Sequence, residues 1–496
     1  MKSYVQINKK DNVIIALKNL EAGCIIQIDN EQNIVLKNNV NQGHKIAIKD
    51  IKYGENIIKY GVAIGHALNN IECGEHVHTH NLKTNLKELL EYKYEKKIEE
   101  FKVTIPNKKI NAYKRVHGNI GIRNELWIIP TVGCVNGVGE LIKERFIKEV
   151  NPQEIDGVFM FSHNYGCSQL GEDHETTKVI LQNMVKHPNA GGVLVLGLGC
   201  ENNQLDIFMN TLGDYNESRV RTLITQDVED EVEAGVELLK ELYNTMKNDK
   251  RVESEINELI VGLECGGSDS FSGITANPLL GEFSNYLINY GGTTVLTEVP
   301  EMFGAEMFLM ERAKDKTTFD KTVNLINDFK EYFIKHDQEI YENPSPGNKK
   351  GGITTLEEKS LGAIEKSGKS EVIDVLKYGE ILKNKGLNLL SAPGNDLVAT
   401  TALAASGCHM VIFTTGRGTP FGGFVPTVKV ATNSNIYNKK SNWFDFNAGV
   451  LVEDKSMEDT LETLIELIIE ISNGKKSKNE INQFRNLAIF KSGVTL

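Results

Sequence analysis

The sequence has no run of about 18 apolar residues, the length that a membrane-spanning helix needs. Its beginning, MKSYVQINKKDNVIIALKNL, lacks both a long apolar core and a small-residue cleavage site, so no secretory signal is expected. Basic residues are fewer than acidic ones, since the sequence contains 55 Lys and Arg and 67 Asp and Glu and has a formal net charge of -12. Such a balance argues against a nucleic-acid partner. The chain is therefore expected to be cytoplasmic, with neither a membrane nor a nucleic acid as partner.

Cysteines are few and show no metal-binding spacing. The 496 residues contain 7 of them, an odd number in a chain without an export signal, and no two show CxxC spacing. Disulfides are therefore not expected, whereas free thiols or metal ligands are. An iron–sulfur cluster is the less favoured alternative, because spacing is the usual sequence evidence for one. It would draw three ligands from Cys134, Cys167, Cys200, Cys265 and Cys408.

The glycine-rich turn GLGCENN lacks part of the dinucleotide-binding fingerprint. Gly197 and Gly199 begin the fingerprint, but Asn202 stands where its third glycine should be. Glycines of this kind also serve simply to pack a strand closely on the next helix. The same order of apolar strand, small residues and cysteine recurs in LWIIPTVGC, GVFMFSHNYGC and LIVGLEC. Since the carboxyl ends of parallel strands line one crevice, the repetition predicts a shared site there.

The chain divides into three stretches of different character. From Val5 to about His80, short apolar runs alternate with Gly and Asn turns, which predicts a small β-rich module. The charged stretch LKELLEYKYEKKIEEFK then predicts a solvated helix or a linker. From about Ile110 strands alternate with helical runs, as in a parallel sheet. The sequence thus predicts an α/β protein, with a β-rich domain over 1–100 and two mainly parallel α/β domains over 101–252 and 253–496.

Two clusters carry histidines. His76, His78 and His80 occupy alternate positions, which in a strand point to one face and suit a divalent metal ion, although a solvated polar face explains them equally well. The stretch SHNYGCSQLGEDH follows a strand and holds His163 and His174 beside two carboxylates, which suits acid–base chemistry. Helix capping explains one of these carboxylates but neither histidine.

Carboxylates and an arginine follow the later strands. Glu264 and Asp269 lie in GLECGGSDSFSG, and three further glutamates lie in TEVPEMFGAE. A helix is predicted to start near Asp396, where its amides suit a carboxylate ligand. Arg417, set among glycines, suits the same role, although pairing with a structural acid explains it equally well. The Pro-rich and Gly-rich stretch YENPSPGNKKGG predicts a long loop.

The chain closely resembles the altronate/galactarate dehydratase family. The resemblance is carried in order by stretches that include GEHVHTHNLKTNL, IRNELWIIPTVGCVNG, YGCSQLGEDH, GLECGGSDSFSGITANPLLG, APGNDLVATTALAASGCHM and FTTGRGTPFGGFVPTVK. It implies a hydro-lyase that converts D-altronate to 2-dehydro-3-deoxy-D-gluconate in hexuronate breakdown. It also implies iron(II) as cofactor, with manganese as the substitute, and a SAF-like N-terminal domain.

Residue roles are assigned from clustering and not from the resemblance. His78 and His80 are expected near the metal, with Cys167 and Cys200 as soft ligands, unless these cysteines are packing thiols. His163 or His174 is expected to act as base or acid. The remaining polar groups are expected to bind the sugar acid, and they are Arg417, Asn395, Asp396, Glu264, Asp269 and Asn202.

Three other functions compete. A galactarate dehydratase would need a second cationic clamp for its second carboxylate. A relative that expels sulfite from a sulfonated acid is more distant, and a sugar-acid binding protein without turnover belongs to another class. Whether the chain forms a homo-oligomer is left open.

Overall fold

The protein is described here by a computed structural model that covers residues 3–28, 32–86, 92–453 and 455–496. An N-terminal module, residues 3–86, consists of short antiparallel strands in sheets ordered β1-β2-β5-β8, β3-β4 and β6-β7-β9. Alternating apolar residues such as Ile26 and Ile28 point into its core. Its strands are β1 (Tyr4–Val5), β2 (Val13–Ala16), β3 (Ile25–Ile28), β4 (Gln32–Val35), β5 (Lys45–Ala47), β6 (Asn56–Lys59), β7 (Val62–Ala67), β8 (His76–Val77) and β9 (Leu82–Lys83).

The charged stretch after this module is a linker. Residues 92–102 form neither helix nor strand, whereas 87–91 lie outside the described residues. The linker packs on the C-terminal part of the chain, because the Tyr94 hydroxyl donates to the Ala313 carbonyl at 3.1 Å and the Lys97 amide donates to the Glu311 carbonyl at 2.8 Å. The linker alternative is thus correct for the described part.

The middle domain is built on a four-stranded parallel sheet ordered β13-β12-β14-β15. A small antiparallel sheet, β11-β10-β16, joins its beginning to its end. Continuous apolar runs such as 126–129 form strands that are buried on both faces. The elements are β10 (Lys109–Lys114), β11 (Ile120–Gly121), β12 (Glu125–Pro130), α1 (Asn136–Val150), β13 (Gly157–Met160), α2 (Gly171–Val185), β14 (Ala190–Gly197), α3 (Leu205–Asn210), β15 (Val220–Ile224), α4 (Glu231–Met246) and β16 (Arg251–Glu255).

The C-terminal domain is built on a seven-stranded parallel sheet ordered β19-β20-β18-β17-β21-β22-β23. Its central strands β17 and β18 carry the residues of the candidate site at their carboxyl ends. The strands are β17 (Ile260–Cys265), β18 (Thr293–Leu296), β19 (Val372–Leu376), β20 (Gly386–Leu390), β21 (Met410–Thr415), β22 (Thr427–Ala431) and β23 (Phe446–Asn447). The helices are α5 (Ala276–Asn289), α6 (Glu306–Met310), α7 (Lys316–Lys335), α8 (Pro346–Lys350), α9 (Leu356–Ile364), α10 (Asp396–Ala405), α11 (Ser434–Lys439), α12 (Met457–Ser472) and α13 (Lys478–Ile481).

The predicted fold class is confirmed, since a β-rich module precedes α/β domains with parallel sheets. Two details differ from the sequence expectation. The stretch expected to be a long loop contains the short helix α8, which Ser345 starts by capping the Asn348 amide. The strand β16 crosses the expected boundary between 252 and 253, because it pairs with β10. Within the described ranges, the chain contains no helix with the length and apolarity to span a bilayer.

Candidate active site

The carboxyl ends of β17 and β18 bring several acidic side chains together. Glu264 is the last residue but one of β17, and Glu298 lies two residues beyond β18. Because the two strands are parallel neighbours, their carboxyl ends meet at one edge of the sheet. Asp396, the first residue of α10, approaches from the other side, and a Cβ on Gly266 would lie 2.3 Å from its Oδ2. Any residue with a side chain at position 266 would therefore clash with the Asp396 carboxylate, whereas glycine does not.

Three of these carboxylates form a group that is close enough to bind one cation. Oxygen atoms of Glu264, Glu298 and Asp396 lie within 4.8 Å of one another. The Glu264 side chain accepts a hydrogen bond from the Thr400 hydroxyl on its Oε2, while its buried Oε1 has no hydrogen-bond partner. The buried Oε1 of Glu298 has no partner either. Buried carboxylate oxygens are normally satisfied, so these two are available to accept a hydrogen bond or to bind a cation.

The electrostatics of the group favour the same partner. Burial raises the pKa of Glu264 well above its usual range, and the neighbouring Glu298 and Asp396 raise it further. Burial raises the pKa of Glu298 to about 8, against the opposing effect of Lys366, and raises the pKa of Asp396 to about 6 with a contribution from Glu301. Like charges that are held together out of water disfavour ionisation, and a divalent cation would relieve both costs.

A second group beside the first already contains its cations. Cys265, Glu298 and Glu301 also offer ligand atoms within 4.8 Å of one another. However, Lys366 Nζ lies 2.7 Å from Cys265 Sγ and 2.9 Å from Glu298 Oε2, and Lys359 Nζ lies 2.6 Å from Glu301 Oε1. Two ammonium groups thus neutralise this side of the cluster. The carboxylate group around Glu264 is therefore the better candidate for a metal ion.

The backbone at Glu298 is held in an uncommon conformation. Its φ of 68° lies in the left-handed region, which few residues other than glycine adopt. The Glu298 carboxylate accepts from the Cys265 amide at 2.9 Å, which ties the loop after β18 to the end of β17. Strain of this kind, held by the surrounding structure, is typical of functional sites.

The other substrate-binding candidates lie at the same edge but differ in whether the protein already satisfies their hydrogen bonds. Asp269 is buried, and it accepts from the amides of Phe271 and Ser272, from the Thr432 hydroxyl and from the Asn433 amide group. Asn395 caps α10, because its Oδ1 accepts from the Val398 amide at 3.2 Å. Arg417 is exposed at the rim, beside Gly267. The first two shape the site, and the arginine is available to a ligand.

The histidines of the N-terminal module lie against the loop around α8. The rings of His44 and His78 stack with centroids 4.8 Å apart, and those of His76 and His80 are tilted with centroids 5.5 Å apart. Nε2 of His78 lies 2.9 Å from the Lys349 carbonyl, and burial lowers the pKa of His78 to about 4. Among the described residues, the two groups close enough to share one ion are the carboxylate and cysteine groups above, and neither includes a histidine. The metal-binding role of His78 and His80 stays a prediction.

The remaining predicted residues lie together at the carboxyl edge of the middle sheet. His163 is buried, with Nε2 at 2.8 Å from the Pro130 carbonyl and Nδ1 accepting from the Tyr165 amide at 3.1 Å. Burial lowers the pKa of His163, against the opposing effect of the Pro130 carbonyl. Both ring nitrogens are thus bound to backbone, and this geometry favours a positioning role. His174, in the first turn of α2, instead keeps a buried Nδ1 without a hydrogen-bond partner.

Two further side chains of this edge connect neighbouring segments. Asp173 does not cap its own helix. Its carboxylate accepts from the amides of Ser492 and Gly493, near the end of the sequence. Asn202 accepts from the Ser168 amide at 2.8 Å and so connects two loops. Cys167 and Cys200 are free and exposed in these loops.

Sequence reasoning thus found Glu264, Asp396 and Arg417 at one edge but missed the lysines that accompany them. Lys359 and Lys366 are seven residues apart, which places them on one side of a helical segment, and this spacing was the available signal. Lys429 on β22 was also missed. Burial lowers its pKa to about 8, and Asp445, Asp396 and Glu264 oppose this shift.

Three family models match consecutive parts of the chain. Residues 2–85 match the model described as altronate/galactarate dehydratase SAF domain. Residues 112–247 match D-galactarate dehydratase/altronate hydrolase, second domain, and residues 256–495 match D-galactarate/altronate dehydratase, C-terminal. Together the matches follow the order of the β-rich module and the two parallel sheets.

Curated proteins are similar over the whole chain. The altronate dehydratase of Escherichia coli (strain K12) is 59% identical over 494 residues, which cover 99% of this chain and 100% of that protein. The altronate dehydratase of Bacillus subtilis (strain 168) is 57% identical, with 100% of both chains covered. The galactarate dehydratase (L-threo-forming) of Escherichia coli (strain K12) is 31% identical, covering 98% of this chain and 96% of that protein.

Proposed function

The chain belongs to the D-galactarate/altronate dehydratase family, and on that premise we propose that it dehydrates D-altronate to 2-dehydro-3-deoxy-D-gluconate in hexuronate breakdown, using a divalent cation. The resemblance inferred from the sequence is confirmed, and the chain is a carbon–oxygen lyase. The choice of altronate rests on the two altronate dehydratases, which share far more identity with the chain than the galactarate dehydratase does.

The reaction requires a proton acceptor and a proton donor in one active site. The C2 proton of a sugar acid is weakly acidic, because the neighbouring carboxylate already carries a negative charge. Removal of the proton builds a second negative charge on the enediolate. A base must take this proton, and the C3 hydroxyl must be protonated as it leaves. The enol product then tautomerises to the 2-keto acid.

The observation that carries the cation is the pair of unpartnered buried oxygens on Glu264 and Glu298. With Asp396 they form an all-oxygen donor set within 4.8 Å, which suits iron(II) or manganese. A divalent cation held there would neutralise the charge that develops on the substrate. Iron(II) is the proposed ion, with manganese as the substitute.

The chain's own residues supply binding and proton transfer. Arg417 is exposed at the rim and is suited to hold the substrate carboxylate with its two parallel donors. Lys429, whose pKa burial lowers to about 8, is suited to take the C2 proton, because part of it is neutral near physiological pH. Lys359 and Lys366 stay charged and keep Glu301 and Glu298 in place.

The test is keto-acid formation from D-altronate and from galactarate, using protein stripped of metal and resupplied with iron(II), manganese or neither. Turnover of altronate alone, restored by either ion, supports the proposal. Turnover of galactarate instead would replace the substrate, and binding of altronate without any keto acid would indicate a binding protein.

Two variants test the cation site directly. Glu264→Gln and Asp396→Asn should each weaken manganese(II) binding, measured as free ion by electron paramagnetic resonance, and should lower turnover by about a hundredfold or more. Glu466→Gln, an exposed acid on α12, is the control and should change neither. Unchanged manganese binding in both site variants would refute the carboxylate site.

A further inference from the structure

Three cysteines follow three strands that are neighbours in the middle sheet. Cys134 lies four residues after β12, Cys167 seven after β13 and Cys200 three after β14. The sheet order β13-β12-β14 makes these strands adjacent and parallel, so their carboxyl ends open onto the same edge. All three thiols are free and exposed.

The loops that carry Cys134 and Cys167 are in direct backbone contact. The Gly133 amide donates to the Tyr165 carbonyl at 2.9 Å. A Cβ on Gly133 would lie 2.5 Å from the His163 carbonyl oxygen, and one on Gly166 would lie 2.0 Å from the Thr131 carbonyl oxygen. Glycine at these two positions lets the loops approach more closely than side chains would permit.

The loop of Cys200 is tied to both of the others by the three residues that follow it. Glu201 is buried and accepts from the Thr131 hydroxyl at 2.6 Å and from the Gly199 amide at 2.6 Å. Asn202 accepts from the Ser168 amide at 2.8 Å. The Asn203 amide donates to the Gly166 carbonyl at 3.0 Å, and its side chain donates to the Thr131 carbonyl at 3.0 Å. The positions of the three cysteines are thus fixed relative to one another.

Two of the sulfur atoms also receive hydrogen bonds. The Ser168 hydroxyl donates to Cys167 Sγ at 3.8 Å, and the Gln226 amide group donates to Cys200 Sγ at 3.6 Å. Ser168 has a φ of 61°, an uncommon conformation for a residue other than glycine. Donors to sulfur stabilise a thiolate and tune the metal that it binds.

We propose that Cys134, Cys167 and Cys200 hold an iron–sulfur cluster through three thiolates at this edge of the middle sheet. A single ion fits less well. Among the described residues, two groups have ligand atoms within 4.8 Å of one another, and none of these three thiols belongs to either group. A cluster is larger and reaches ligands that stand farther apart. Each thiol releases its proton on binding. Since clusters commonly have four cysteine ligands, three leave one iron open to a further ligand from solution.

Cys265 and Cys408 do not belong to this set. Cys265 is buried against Lys366 and Glu301, and Cys408 is buried beside the Ser406 hydroxyl. The absence of CxxC spacing is also explained, because each ligand comes from a different strand end.

The experiment is anaerobic purification of the full chain and reconstitution with a mixture of iron(II) and iron(III) and with sulfide, followed by iron and acid-labile sulfide analysis. We expect about four of each per chain, with broad visible absorption and a paramagnetic signal after reduction. Cys134→Ser, Cys167→Ser and Cys200→Ser should each reduce sulfide to background while circular dichroism is unchanged. Cys24→Ser, an exposed cysteine of the N-terminal module, should keep the full content.

Zinc or a single iron without sulfide, or full sulfide in all three variants, would overturn the cluster. Cluster binding is measured without substrate, so its failure is distinct from failure of the proposed reaction. Asp396→Asn should keep the sulfide-bound iron while it loses manganese binding, because Asp396 belongs to the carboxylate group.

Discussion

Lys45 of the N-terminal module and Glu358 of α9 form a fully buried ion pair, with Nζ 2.8 Å from Oε2. Lys59 reaches the other oxygen of the same carboxylate at 2.8 Å. The two lysines more than offset burial, which alone would raise the pKa of Glu358, and hold that pKa well below its usual range. The module is thus fixed to the C-terminal domain beside the helix that supplies Lys359.

Glu358→Gln should therefore be strongly destabilising. It leaves two buried ammonium groups without their counter-ion, which we expect to lower the free energy of unfolding in urea by about 3 to 5 kcal/mol. The control is Asp320→Asn, which breaks an exposed pair with Lys316 and should cost less than about 1 kcal/mol. Equal effects in the two variants would show that the buried pair does not hold the module.

Glu480 should make stability depend on acid pH. Burial alone would raise its pKa, but Arg123, with its Nε 2.7 Å away, and Arg485 lower the pKa from 4.5 to about 2. A group with a depressed folded pKa contributes stability that is fully present above the unfolded pKa. That contribution, about 3 kcal/mol, should be lost as the pH falls from 4.5 towards 2.

The measurement is urea unfolding of the wild type and of Glu480→Gln at a series of pH values. The difference between them should shrink as the pH falls through this range. Glu466→Gln should follow the wild type throughout. A difference that stays constant with pH would mean that the Glu480 carboxylate does not titrate as stated.

His163 and His174 should respond differently to substitution by Asn. His174→Asn should lower kcat by about a hundredfold or more with unchanged thermal unfolding, if its unpartnered Nδ1 serves proton transfer. His163→Asn should also lower the free energy of unfolding, by about 1 to 3 kcal/mol, because its ring bonds two backbone groups. Unchanged kcat in both variants would remove the predicted acid–base role of these two histidines.

The sequence predicted what depends on short-range pattern. Apolar runs identified the parallel strands, and the rule that their carboxyl ends converge brought Glu264, Asp396 and Arg417 to one edge. It did not reveal that Glu298 would find its partner in Lys366, 68 residues away, or that both nitrogens of His163 would bind backbone. Such partners are set by the packing of loops from distant parts of the chain, and no local spacing encodes them.

The end of the sequence covers the loop that carries Cys167. Asp173 accepts from the Ser492 amide at 2.9 Å and from the Gly493 amide at 2.7 Å, and the Leu496 amide donates to the Ser168 carbonyl at 3.0 Å. Residues 491–496 are exposed, and Thr495 also pairs with Gln169 in an isolated antiparallel bridge. Asp173→Ala removes two of these attachments and should therefore loosen the segment without unfolding the domain.

Hydrogen exchange of residues 163–170 measures this effect. Two hydrogen bonds to a charged group are worth about 1.5 kcal/mol each or more, so Asp173→Ala should speed exchange in this loop by about tenfold or more. Glu172→Ala is the matched control, since Glu172 is the exposed neighbour in the same helical turn and should leave exchange unchanged. If the loop also holds a cluster, sulfide content should fall in Asp173→Ala and not in Glu172→Ala. Equal protection in both variants would mean that the other contacts of the loop, such as those of Asn202, Asn203 and Gly133, order it without Asp173.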